Sequence, residues 1–187
     1  LWKSIETGRV HAGAQQQSPE QAGAGGKTLG ESVTDGNYQL VHANLARMRA
    51  GWDDPIMAGF VERMDEIDAL ARERAGFVDQ PTPADEGEVF AGLDLLNLSI
   101  WESVEDLEAF TYHGEHGRVM QRRAEWFEQS EAANYVLYWA PAGQIPTEAE
   151  VKRHLDYLLE HGPTPFAFTF ECAFTAEESA AFDPGEV

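Results

Sequence analysis

Cysteine occurs once in this chain, at Cys172, so no intrachain disulfide framework and no cysteine-rich zinc site can be built from it. A single free cysteine usually packs as a small hydrophobe, and Cys172 is expected buried or half-buried. Positive charge is scarce. Lysine appears only at Lys3, Lys27 and Lys152, and 13 Lys plus Arg against 33 Asp plus Glu leave a formal charge of −20. A surface this acidic repels phosphate backbones, so no nucleic-acid partner is expected. No apolar run approaches the roughly 20 residues of a membrane span, so no membrane partner is expected either. No basic leader with an apolar stretch behind it opens the chain, and a cytoplasmic location is expected. Phosphate-binding glycine loops, a serine-nucleophile elbow and paired-carboxylate motifs are missing. The glycine run near residues 22–26 follows no strand and is not a dinucleotide site.

What is present divides into three parts. Residues 1–36 are rich in Gly, Ala, Gln and Ser, with too few large apolar residues to offset the entropy of ordering them. They read as a flexible arm or linker, with Leu1, Trp2 and Ile5 as an apolar tip. Residues 37–171 carry the periodic patterns of one domain. Residues 172–187 form an acidic tail without basic residues, expected to fray, with Phe174 and Phe182 as its only large anchors.

Alternation starts at Tyr38. Leu40, His42 and Asn44 share one face of a strand, and Val41, Ala43 and Leu45 the other. Asp54 and Pro55 predict a helix start, with Phe60, Met64, Ile67 and Ala71 as its inward stripe. A short strand is expected at 77–80. The alternation then repeats over 95–101: Leu96, Leu98 and Ile100 form an apolar face, and Asn97, Ser99 and Trp101 a mixed one. Ser103 and Asp106 form a capping-box-like start to a helix that buries Val104, Leu107 and Phe110. After Gly114 and Gly117 a second helix carries Met120, Ala124 and Phe127. A strand at 135–139 follows. Thr147 and Glu150 then cap a helix with Val151, Leu155, Leu158 and Leu159 inward, stopped at Gly162 and Pro163. Phe166, Phe168 and Phe170 alternate in a last strand.

This order predicts an α+β fold, a ferredoxin-like βαββαβ core with an antiparallel sheet and a C-terminal addition. Helices cover one face of such a sheet. The mixed face is too apolar for bulk water, so a second copy is expected to close over it, giving a homodimeric α/β barrel around a cavity.

The blocks NLSIWESVEDLEAF, MQRRAEWFE, LYWAPAGQIPTEAE and GPTPFAFTF, with the opening YQLVHANLARMRAGWDDPIMAGF in pattern, resemble the bacterial family DUF3291, a domain of unknown function. The resemblance runs from Tyr38 to Phe170 and implies membership of the dimeric α/β-barrel superfamily. That superfamily holds antibiotic-biosynthesis monooxygenases, haem-degrading monooxygenases, lactone isomerases, polyketide cyclases and stress-response dimers. The fold does not choose among these activities.

Candidate site residues follow from both readings. His42, Asn44, Asn97, Ser99 and Trp101 share the mixed face, and convergent polar groups among aromatic walls make a small-molecule pocket. His116 stands where the resemblance places a histidine before the basic helix. It is open to three roles: general base, proton shuttle or axial haem ligand. His113 lies beside it as a substrate-binding candidate. A metal shared by His113 and His116, completed by His42 or Glu115, needs a helical geometry that the adjacent glycines oppose, and no metal site is expected. Asn44, Trp101 and His116 are similar in order to the Asn, Trp and His of haem-degrading relatives. No cofactor is required, with haem as a minor alternative. Arg118, Arg122 and Arg123 are expected in helix-face ion pairs. The expected function is a small-molecule enzyme on an apolar substrate, monooxygenase-like or isomerase- or cyclase-like. His116, Asn44 and Trp101 would be catalytic, and His42, Asn97, Ser99 and His113 substrate-binding. The alternative is a non-catalytic ligand-binding or scaffold dimer whose N-terminal arm recruits a protein partner.

Overall fold

The computed structural model describes residues 37–85, 89–90, 94–112, 114–129 and 134–185. The N-terminal arm, with its proposed partner-recruiting role, and His113 lie outside those residues. Four strands, β1 (Tyr38–Arg47), β2 (Phe77–Asp79), β3 (Asp94–Trp101) and β4 (Tyr135–Pro141), form one antiparallel sheet in the order β2-β3-β1-β4. Helix α1 (Ala58–Arg72) connects β1 to β2. Helices α2 (Val104–Tyr112) and α3 (Gly114–Gln121) connect β3 to β4. This is the ferredoxin-like βαββαβ order, with β1 and β3 central. Two further helices follow, α4 (Glu148–His161) and α5 (Ala176–Ala181).

The two faces of the sheet are covered by different parts of the same chain. Val41, Ala43, Leu96, Leu98, Val136 and Tyr138 form an apolar face packed by Val151, Leu155 and Leu158 of α4. The opposite face carries Leu40, Trp101 and Leu137, packed by Ala71 of α1 and by Leu107 and Phe110 of α2. The expectation that a second sheet covers the mixed face is therefore corrected: α1, α2 and α3 cover it. The helix-facing side of a ferredoxin-like sheet need not be the more apolar one, because a cavity between the layers accommodates polar groups.

Local chemistry accounts for most element boundaries. Ser103 Oγ accepts from the Asp106 amide at 3.1 Å and donates to the Asp106 carboxylate at 2.7 Å, starting α2. Thr147 Oγ1 accepts from the Glu150 amide at 3.0 Å, and Gly162, at φ 73°, ends α4. Asp54 and Pro55 do not begin α1. Asp54 Oδ1 accepts from the Ile56 amide at 2.9 Å, and the Asp54 carbonyl from the Met57 amide, so they form a turn and the helix starts at Ala58.

Other expectations at the C-terminal end are corrected. The run Phe166 to Phe170 is not a full strand. Phe168 alone pairs with Leu137, through two backbone bonds of 2.9 Å, and tight bridges at Thr164–Ala167 and Thr169–Cys172 curl the chain on either side. Pro163 and Pro165 lack the amides that a longer ladder needs. Leu159 is exposed, because α4 turns only Val151, His154, Leu155 and Leu158 to the sheet. Cys172 is exposed on the Thr169–Cys172 turn. The tail does not fray over residues 174–181: Trp139 Nε1 donates to the Phe174 carbonyl at 2.7 Å, and a Thr175–Glu178 capping box starts α5. No helix among the described residues is long and apolar enough to cross a membrane.

Candidate functional site

The β1–β3 register puts Leu40 opposite Trp101, His42 opposite Ser99 and Asn44 opposite Asn97. Residues two apart on a strand share a face, so these six side chains form two adjacent rows beneath the helices. Between the sheet and α1, α2 and α3 lies a cavity of about 110 Å³. His42, Asn44, Asn97, Ser99, Trp101 and His116 all line it, joined by Phe60, Met64 and Ile67 of α1 and by Phe110 of α2. Six of the seven site residues expected from sequence thus meet in one place, and the seventh, His113, lies outside the described residues. The exposed Arg123 and Glu128 in the lining mark the mouth.

His116 reaches the cavity because the helix pair breaks. Gly114 adopts φ 67°, and a Cβ on Gly117 would stand 2.8 Å from the Tyr112 carbonyl oxygen. Two glycines therefore let α3 fold back against the end of α2. His116 Nδ1 then lies 2.9 Å from the Thr111 carbonyl. A carbonyl only accepts, so Nδ1 carries the proton and Nε2 keeps its lone pair. The ring lies 4.5 Å from that of Phe110. Burial lowers the His116 pKa, and the Thr111 bond offsets part of that shift.

His42 faces the same cavity from the sheet. Its Nδ1 is 3.2 Å from Ser99 Oγ, and that oxygen accepts from Trp101 Nε1 at 3.0 Å. Burial, and after it the neighbouring His116, together lower its pKa to about 4. Trp101 is fully buried against Phe77 and Phe110, at 5.3 Å each, which fixes the wall of the cavity and the direction of the indole N–H.

Sequence reading missed a second polar group at the side of the cavity. Gln80 Nε2 donates to Asp68 Oδ1 at 3.0 Å and to Asn97 Oδ1 at 3.3 Å. Asp68 and Gln80 are buried, and Gln80 Oε1 and Thr111 Oγ1 are buried without a hydrogen-bond partner among the described residues. The signal for Asp68 was available: it is an acid four residues after Met64, inside an apolar helical stripe. Gln80 gave none, because its role depends on where β2 ends. The expected arginine pairing is present in part, as a bidentate Arg122–Glu125 contact at 2.8 Å on the surface.

Among the described residues no group of three metal-ligating side chains converges. A cavity of about 110 Å³ is too small to enclose a tetrapyrrole, so haem does not fit within it. The enclosed volume suits a small ring, or the reactive end of a longer molecule entering past Arg123.

The fold and site together define a ferredoxin-like α+β domain with a polar-lined cavity between its sheet and its helices. The chain belongs to the family described as Domain of unknown function (DUF3291), whose model matches residues 39–183. No protein of curated function matches it. Among solved structures it is similar to PA3566 from Pseudomonas aeruginosa, at 10% identity over 58% of this chain and 95% of that one, TM-score 0.38. It is also similar to NE2512, a protein of unknown function from Nitrosomonas europaea, at 10% identity over 60% and 98%, TM-score 0.41. A third, also from Nitrosomonas europaea and provisionally described as an antibiotic biosynthesis monooxygenase, has 13% identity over 60% and 95%, TM-score 0.38. Likeness this distant bears on neither substrate nor chemistry.

Proposed function

We propose that this protein is a small-molecule enzyme acting on an apolar substrate that carries one polar oxygen, with proton transfer as its first chemical step. One observation carries the reading: His116 Nδ1 is held by the Thr111 carbonyl, so a neutral Nε2 lone pair is kept for the cavity. His116 is the base. Asn44 and Asn97 orient the substrate oxygen, and Trp101 forms the apolar wall against which the substrate packs. Abstraction of a proton from carbon leaves a carbanion stabilised by that oxygen. Reprotonation elsewhere gives an isomerase- or cyclase-like product. In a monooxygenase-like reaction the carbanion and dioxygen form a hydroperoxide, which loses water and leaves one oxygen on that carbon as a new carbonyl.

The test is a fragment screen by thermal shift, followed by mass spectrometry of bound fragments after incubation in air. Apolar fragments with one carbonyl or hydroxyl are expected to stabilise the wild type. Turnover should fall about 10²- to 10⁴-fold in His116→Ala while the melting midpoint changes little. A product of unchanged mass identifies isomerisation or cyclisation, and a gain of one oxygen atom with loss of two hydrogens identifies oxygenation. Turnover indifferent to His116→Ala would remove proton transfer at this residue.

A further inference from the structure

Two histidines enter the cavity from opposite walls, His42 from β1 and His116 from α3. Each has one ring nitrogen engaged by the protein, and in each it is Nδ1. The partners differ in kind. The Thr111 carbonyl can only accept, which leaves His116 Nε2 as an acceptor. Ser99 can both accept and donate, and its neighbour decides which it does. The Trp101 indole can only donate, so Ser99 Oγ accepts from it at 3.0 Å. Ser99 is itself buried. If His42 Nδ1 also donated to Oγ, the serine hydrogen would have no acceptor in the triad. The arrangement that satisfies every hydrogen runs Trp101 to Ser99 to His42, with the serine hydroxyl donating to Nδ1. His42 then carries its proton on Nε2. The two rings are thus held in opposite tautomers, one offering a lone pair and the other an N–H.

We infer that His42 is a second catalytic residue, a neutral electrophile that donates its Nε2–H to a substrate carbonyl oxygen while His116 removes the proton from the carbon beside it. The substrate class is a neutral ketone or aldehyde with an acidic C–H next to its carbonyl. The inference rests on the proposed role of His116 as base. The step balances without a cofactor or oxidant. The C–H bond breaks and its proton joins His116 Nε2. The C–H pair becomes the new C=C bond, and the carbonyl π pair moves to oxygen, where the His42 N–H stabilises it. His116 then returns the proton to carbon, at the same position or at a conjugated one. A neutral imidazole suits this role, because it donates without first having to gain a proton, and the depressed pKa keeps it neutral at pH 7. Ser99 and Trp101 are positioning residues that act through His42. The other charged groups lining the cavity are Asp68, Arg63, Arg123 and Glu128.

The test is long-range ¹H–¹⁵N NMR of the full chain labelled with ¹⁵N-histidine at pH 7, with signals assigned by His42→Gln and His116→Gln. His42 is expected as the neutral Nε2–H tautomer and His116 as the neutral Nδ1–H tautomer. Ser99→Ala should shift His42 toward a mixture of tautomers. An Nδ1–H form of His42 in the wild type overturns the inference while leaving His116 as base intact. An Nε2–H form of His116 overturns the base itself. The functional arm measures deuterium uptake next to the carbonyl of cyclohexanone and phenylacetone in D₂O. Uptake above the buffer rate is expected in wild type, at least tenfold slower in His42→Leu, and largely restored in His42→Gln, whose amide also donates. His42→Leu exchanging at the wild-type rate, with His116→Ala inactive, rejects His42 alone. Wild-type uptake no faster than buffer rejects the assigned substrate class.

Discussion

The two faces of the sheet use similar parts for different ends. On the α4 side, His154 is buried with its Nδ1 2.8 Å from the Phe166 carbonyl, its ring stacked 3.8 Å from Tyr138 and 4.1 Å from Phe166. On the other side, His116 makes the same kind of Nδ1-to-carbonyl bond, at 2.9 Å, but its ring lines a cavity. Burial lowers both pKa values, that of His154 to about 4. Tautomer fixation and a depressed pKa are therefore not by themselves signs of function. What separates the two is the space beside the ring. His154 is sandwiched between aromatic rings, whereas His116 and His42 share a void with amides, a hydroxyl and an indole. The α4 face packs closely around its histidine, whereas the other face leaves open space beside its two.

That contrast can be broken by variants that should affect one face only. Leu155→Ala, on α4, removes a buried side chain from the apolar cluster and should destabilise the protein by about 2–5 kcal/mol in denaturant unfolding. Fragment affinity in the folded protein should stay unchanged. A matching loss of affinity would mean that the α4 face shapes the cavity after all. Next in size is Gly117→Ala, whose Cβ would meet the Tyr112 carbonyl oxygen at 2.8 Å. It should cost about 1–3 kcal/mol and also weaken fragment binding, because α3 must move and carries His116 with it. Stability lost with full binding would show that His116 tolerates displacement.

A third effect appears only in acid. A histidine whose folded pKa lies below its unfolded value takes up its proton more readily when unfolded. For His42 and His154 the folded value is about 4 against 6.5. Stability is therefore full above pH 6.5, falls as pH drops toward 4, and stops falling from this cause below it. Each group contributes a slope of up to about 1.4 kcal/mol per pH unit in that window. His154→Phe, which keeps the aromatic stack, should remove one such slope without changing deuterium uptake. An unchanged slope would mean that His154 titrates normally, and the likeness between the two faces would then be only geometric.

Much of this was legible in advance, and the reasons are local. The period-2 alternation at 38–46 and 95–101 assigned His42, Asn44, Asn97, Ser99 and Trp101 to one face, because strand geometry fixes which side chains share a side. Ser103, Thr147 and Gly162 marked helix ends, because capping depends on residues within one turn. Those signals also gave the order of elements and hence the ferredoxin-like core. Other features depend on contacts between distant segments. Nothing local says that the mixed face lies under α1, α2 and α3 while α4 folds back on the apolar one. That choice depends on which combination buries the most apolar area. Phe166 to Phe170 alternates like a strand, yet only Phe168 pairs with the sheet, since a strand needs a partner as well as a pattern. The Asp68–Gln80–Asn97 contact joins α1, the end of β2 and β3. The tautomers of His42 and His116 depend on Ser99, Trp101 and Thr111, groups set beside them by the register and the glycine break. Sequence alone determined which side chains were available on each face. Tertiary structure decided which of them met around a cavity, because hydrogen-bond partners and empty space are properties of packed layers rather than of any single segment.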